Sequence, residues 1–507
     1  MKKRVFAIAS ILTVAVVLTA SLSACGAVTE SFSPAAASGE YREQVMGSTA
    51  AYDYLERLGS EDMRSRYGSV DSDELNINYG IGKAAVSLAA EMEKMGYQPV
   101  EGVSITVNQE GYLSTHGGSE ITGIMSYSTS LQGQSGVNVL YEKPATNGSR
   151  GQIYIISHFD NLFGTTTSGA TVITAEGAYE NSAAVATMLY TAQLLSGVET
   201  EYDIVFAFLG SSVISANNNI YYCWDGADAL LQTLPSVYGK DYNPVLVINL
   251  WRLGGENLYM YSADTATSYN NYFYAVAEAD GLDFSAVPDY KHAFSDAFGT
   301  YVLAPSPSGV YHPGLLNDSI YFMNEGIPTL TYMSLDWESG NENSNPESLN
   351  VAYTGSDTLD NMKLAFGGGD TGTQAITRQL NSVALNIVNS ITGENAAMFD
   401  SAVSTAREEL SSNTDSLYGL SVATTVITWA IVIGLLVAAI VLRGKNVTKM
   451  VSRKPPQGPN ASNPFTEFNR GGSSGSPFEE FDDNKKGGNN KNSSGGGSGG
   501  DDIFEGF

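Results

Sequence analysis

The sequence predicts an α/β fold: a mixed, mostly parallel central sheet with helices on both faces. Short apolar runs rich in β-branched residues recur at Gly151–Ile156, Ile204–Leu209 and Val245–Leu250. Runs without polar alternation mark strands buried on both faces. A helical pattern from Ser182 to Leu195 separates the first two runs, and strands alternating with helices imply parallel pairing. The 507 residues, 43% of them hydrophobic, leave ample chain for a large core.

The elements follow in order. Lys2, Lys3 and Arg4 precede an apolar stretch from Val5 to Ala20, the layout of an export signal. Leu22-Ser23-Ala24-Cys25, followed by Gly26, resembles the bacterial lipobox, so residues 1–25 are expected to be removed up to a lipidated Cys25. Residues 26–59 are assigned to a linker and helix, and 60–395 to the α/β domain. Residues 41 to 98 look helical, with a helix over Ala85–Met95 that stops at Gly96-Tyr97. Residues 396–416 form a juxtamembrane segment. The 26 residues from Leu417 to Leu442 carry no charge, enough for one transmembrane helix. Arg443, Lys445, Lys449, Arg453 and Lys454 follow, which places the C-terminal side in the cytoplasm and residues 26–416 outside the membrane.

The tail, residues 443–507, is rich in Gly, Ser and Asn and is expected to be disordered. Three F-x-x-F islands punctuate it, at Phe465 and Phe468, Phe478 and Phe481, and Phe504 and Phe507. On an induced helical turn each pair presents both rings to one groove, so a cytoplasmic protein partner is expected. The tail has 9 basic and 8 acidic residues and the signal segment has three basic ones, so the formal charge of −28 resolves into −32 on the part outside the membrane. That acidity argues against nucleic-acid binding. Two cysteines exclude a disulfide framework and a cysteine-rich zinc module.

In open α/β sheets sites form at the carboxyl ends of the strands, so the residues after each run carry the chemistry. Ser157-His158-Phe159-Asp160 follows the first run, and Gly177-Ala178-Tyr179-Glu180-Asn181 precedes the helix. Gly210-Ser211-Ser212 follows the second run, and Asn249-Leu250-Trp251-Arg252-Leu253-Gly254 closes the third. Asn317-Asp318-Ser319, Phe322, Gly326-Ile327-Pro328 and Tyr353 to Asn361 come later. With Arg66-Tyr67-Gly68-Ser69 and Asn138-Val139-Leu140 upstream, this order resembles the co-catalytic zinc aminopeptidases of metallopeptidase family 28. That family also includes glutaminyl cyclases, the transferrin receptor ectodomain and nicastrin. The resemblance covers roughly Arg64 to Gly393.

The resemblance implies two zinc ions held by two histidines and three carboxylates, with a separate glutamate as general base. His158 matches the first histidine, and Asp160 matches the aspartate that would orient it. Glu180 matches the bridging aspartate. Ser211 and Ser212 stand where the family has its base and a glutamate ligand, Trp251 where it has an aspartate, and Thr354 where it has the last histidine. Serine and threonine are poor zinc ligands, and an indole has no lone pair to give. A missing base alone costs about 10²- to 10⁴-fold in rate. The expectation is a non-catalytic domain, without a cofactor, that binds a peptide or protein or packs as a scaffold with Trp251 plugging the pocket. The alternative is an active cell-surface aminopeptidase that keeps zinc in an altered site. Of the other histidines, His116 precedes the first run, while His292 and His312 lie on loop-rich chain before Asp318. A serine nucleophile is not expected, because Ser212 is followed by Val213 rather than by the turn of a nucleophile elbow.

Overall fold

The three apolar runs become the middle of one sheet in the computed structural model. It describes residues 32–60, 63–68, 70–71, 75–130, 133–165, 171–216, 219–255, 257–261, 267–285, 294–295, 301–303, 317–334, 352 and 354–409. Cys25, His292, His312, the 417–442 segment and the six tail phenylalanines lie outside these residues. Among the described residues no helix is long and apolar enough to cross a membrane.

The strands of the sheet are β1 (Val70–Asp71), β2 (Gln98–Pro99), β3 (Ile124–Ser128), β4 (Gln134–Lys143), β5 (Gln152–His158), β6 (Asp203–Leu209), β7 (Pro244–Leu250), β8 (Tyr259–Tyr261) and β9 (Thr329–Met333). Their order is β1-β4-β6-β5-β7-β9-β8, with β2 and β3 also paired to β4. The four central strands β6, β5, β7 and β9 are parallel, while β4 and β8 run antiparallel at the two sides. The sheet is thus parallel where it is buried on both faces and antiparallel toward its margins, as the apolar runs demand. Every residue of β5 is buried. The register sets Leu209 beside His158 and Asn249 beside Ile156, which brings the carboxyl ends of three strands to one rim.

Helices cover both faces. α1 (Gly39–Met46), α2 (Ala50–Leu58), α3 (Gly80–Lys94), α4 (Ala183–Leu195), α6 (Thr267–Ala279) and α9 (Gly369–Ile391) contribute to one core cluster. α5 (Asp225–Tyr238) and α7 (Ile320–Asn324) contribute Leu230, Leu234 and Phe322 to the other. α8 (Leu359–Ala365) precedes α9. Helix α4 is buried at 11 of its 13 positions, which is why its sequence is apolar nearly all round.

Two differences from the sequence expectation have plain causes. Helix does not run continuously through 41–98: Gly59 caps α2 and β1 intervenes before α3 begins at Gly80. The core also extends past both ends of the 60–395 span. Val45, Tyr52 and Leu55 lie in it, and so do Phe399, Ala402, Val403 and Ala406 of a helical stretch over 396–409.

Candidate functional site

The rim at the ends of β5, β6 and β7 is a buried polar cluster, and its backbone explains the placement. Residues 178–182 form a wide turn ahead of α4 in which Glu180 and Asn181 leave helical geometry. Gly177 starts this turn at φ 70°, where an added Cβ would meet Glu180 O at 2.5 Å. Asn181 fixes the turn to two strands. Its Nδ2 donates to Ser157 Oγ (3.0 Å), His158 O (3.3 Å) and Leu250 O (3.1 Å), and its Oδ1 accepts from the Arg252 amide at 2.8 Å. Asp357, just ahead of α8, accepts the amides of Tyr179 (2.7 Å) and Glu180 (3.1 Å).

His158 and Glu180 do meet. His158 Nε2 lies 2.9 Å from Glu180 Oε1, an ion-pair distance without hydrogen-bond alignment. The carboxylate on Nδ1 differs from the expected one: Asp318 Oδ2 takes it at 2.7 Å, while Asp160 Oδ2 accepts the Ser212 amide at 3.1 Å. Asp160 stands two residues past the end of β5, whereas Asp318 comes in ahead of α7. Ser212 Oγ donates to Asp318 Oδ1 at 2.5 Å. Serine, aspartate and histidine therefore stand together in the wrong order for a nucleophile, because the hydroxyl is spent on the carboxylate rather than on imidazole.

The other expected positions are also engaged within the protein. Ser211, at φ 54°, donates its Oγ to Gly68 O. Thr354 is half-buried on a turn, its Oγ1 accepting the Ser356 amide at 3.2 Å. Trp251 is buried and its Nε1 donates to Glu180 Oε1 at 3.2 Å. His116 is exposed and contacts Thr115 Oγ1 at 2.8 Å, away from the cluster.

Three residues that sequence spacing did not assign complete the cluster. Arg252 is fully buried, at φ 48°, and its Nε bonds Glu180 Oε2. Asp318 holds His158, and Asp357 holds the turn that carries Glu180. Burial pushes the Asp357 carboxyl up to about 7, against the pull of its backbone hydrogen bonds and of Arg252 and Arg66. Burial likewise lowers Arg66 to about 10, opposed by Asp160 and Asp357. Arg252 could have drawn notice earlier, since a charge one residue past Trp251 at the end of an apolar strand needs a buried partner.

The donor set does not fit the zinc pair that the motif order implies. Both oxygens of Glu180 face protein donors, and one of them faces a guanidinium. His158 Nδ1, Ser212 and Asp318 satisfy one another. Among the described residues no group of three or more His, Cys, Asp or Glu side chains is arranged to hold a metal ion.

No protein-family model matches the chain, and no curated protein matches it. Solved structures similar to it include a zinc aminopeptidase from Bacillus subtilis, with 14% identity, a TM-score of 0.43, and 68% of this chain and 95% of that one covered. A glutaminyl cyclase from Bacteroides thetaiotaomicron has 17% identity and a TM-score of 0.42, over 68% and 97% of the two chains. The LapA aminopeptidase of Legionella pneumophila has 11% identity and a TM-score of 0.42, over 72% and 77%.

Proposed function

We propose that the chain is a membrane-anchored, extracytoplasmic domain of zinc-aminopeptidase type that works by binding rather than by catalysis. One observation carries this reading. The carboxylate best placed to bridge two metals, Glu180, is instead paired with Arg252 and bonded by the Trp251 indole. The position of the base is a serine whose hydroxyl is held by Gly68 O. A serine hydroxyl cannot take a proton from water at neutral pH. The domain then serves as a scaffold or as a receptor for a peptide or protein. A lipid on Cys25 and the Leu417–Leu442 span anchor it, and the F-x-x-F tail docks a cytoplasmic protein.

The test is metal content together with turnover. The purified full chain is dialysed against zinc, analysed for bound metal and offered a panel of aminoacyl substrates. The expected result is no hydrolysis and no zinc that depends on His158. Near-stoichiometric zinc, with turnover abolished in His158→Ala, would establish instead an active aminopeptidase with an altered metal site.

A further inference from the structure

Four carboxylates lie buried around one point: Asp160, Glu180, Asp318 and Asp357 are each 2% exposed or less. Buried carboxylates need cations or several hydrogen bonds. Two buried guanidiniums are at hand, and they are used differently. Arg66 directs its N–H groups to neutral oxygens, the carbonyls of Leu58, Met63 and Phe159 and the hydroxyl of Ser182. Arg252 places its Nε directly on Glu180 Oε2. Its Cζ also lies 4.5 Å from the centroid of the Trp251 ring, a cation–π distance.

The backbone holds Arg252 to this task. Its φ of 48° is left-handed, a conformation that disfavours any residue with a side chain. The conformation is fixed from both sides: the Arg252 amide donates to Asn181 Oδ1, and its carbonyl accepts from Ser334 N at 3.0 Å and from Ser334 Oγ. Asn181 in turn is bonded to β5 and β7. The guanidinium is aimed at Glu180 by the same framework that builds the rim.

We infer that Arg252 is a built-in counter-ion, and that the recess it fills beside Glu180 and Trp251 is a cation site closed from within. This rests on the non-catalytic reading and names what enforces it: a fixed guanidinium, in addition to the lost ligands. A dication a few ångströms from that charge is repelled strongly enough to weaken its binding roughly 100-fold or more. Removing the side chain leaves a recess of guanidinium size, lined by a carboxylate and an indole face. Those walls suit free guanidinium, and His158 Nε2, 2.9 Å from Glu180 Oε1, adds the nitrogen donor that a divalent cation needs beside the carboxylate.

The test uses the full chain in detergent and four forms: wild type, Arg252→Ala, Arg252→Lys and the double variant Arg252→Ala/Glu180→Gln. The probes are guanidinium chloride at low, non-denaturing concentration, sodium chloride at matched ionic strength, and zinc chloride. The readouts are the melting temperature and the zinc retained per chain. Wild type and Arg252→Lys should ignore both cations. Arg252→Ala should melt lower, recover part of that loss with guanidinium but not with sodium, and bind zinc roughly 100-fold or more tighter than wild type. The double variant should lose both responses. If Arg252→Ala does not fold, recovery of folding in the double variant supports the inference, and a double variant as defective as the single one overturns it. A folded Arg252→Ala that ignores both cations overturns the inference and leaves the non-catalytic reading standing. His158-dependent zinc in the wild type overturns the inference, and if turnover accompanies it, both fall.

Discussion

Asp357 shows how a single residue ties the site to pH. Its carboxyl is fully buried and pushed up to about 7, whereas an exposed aspartate loses its proton near ~3.9. Between those values the folded chain holds a proton that the unfolded chain has released, so stability falls as pH rises through that window. The slope from one such group can approach about 1.4 kcal/mol per pH unit. Asp357→Asn keeps the shape and removes the titration. At pH 5 the variant should cost about 1–2 kcal/mol, because one amide among Tyr179 and Glu180 loses its acceptor. Between pH 5 and pH 7.5 it should lose less melting temperature than the wild type does. Equal losses in the two proteins would refute the assignment. Residues of this kind are also where the sequence was least legible. His158 and Glu180 could be placed because the order of motifs around the apolar runs resembles that of a known family, which assigns each a position. The pairing of His158 with Asp318, 160 positions away, and of Arg252 with Glu180 is set by how the rim closes, which no local spacing encodes.

Elements were far more legible, for a physical reason. Central parallel strands are buried on both faces, so their apolar runs are unbroken. The runs expected at Ile204–Leu209 and Val245–Leu250 match β6 and β7 to within one residue at the start. The ends of the domain were harder, because amphipathic helices at a margin look like linkers. Phe399, Ala402, Val403 and Ala406 nevertheless stand at helical spacing and form a buried face. Phe399 centres an aromatic cluster, its ring 5.3 Å from Tyr202, 6.0 Å from Tyr269, 6.1 Å from Tyr272 and 6.3 Å from Phe273. The 396–409 helix is thus part of the core. Phe399→Ala should cost about 3–5 kcal/mol, the usual loss for emptying a buried aromatic site. Thermal or denaturant unfolding of the full chain measures it. A loss below ~1 kcal/mol would mean that the helix only rests on the domain.

At the scale of the whole molecule, the chain joins an acidic α/β domain to a tail of near-neutral charge with three copies of one short motif. A single F-x-x-F turn offers two rings and little else, too small a surface for tight binding on its own. Three copies on Gly- and Ser-rich spacers change that arithmetic. Once one motif docks, the spacer sets the effective concentration of the next, and a partner with several grooves gains avidity without any new kind of contact. The dependence on motif number should therefore be steep for a multivalent partner and shallow for a monovalent one. The full chain, carrying Phe465, Phe468, Phe478, Phe481, Phe504 and Phe507 or alanine at one, two or all three pairs, can be used to capture cytoplasmic proteins from a membrane-free extract. The expected outcome is a specific protein retained by the wild type, reduced at least ~10-fold by loss of a second pair and absent when all three are gone. Retention that falls only in proportion to the number of intact motifs would point to a partner with one groove. An identical set of captured proteins from the wild type and the six-alanine chain would remove docking from the role of the tail.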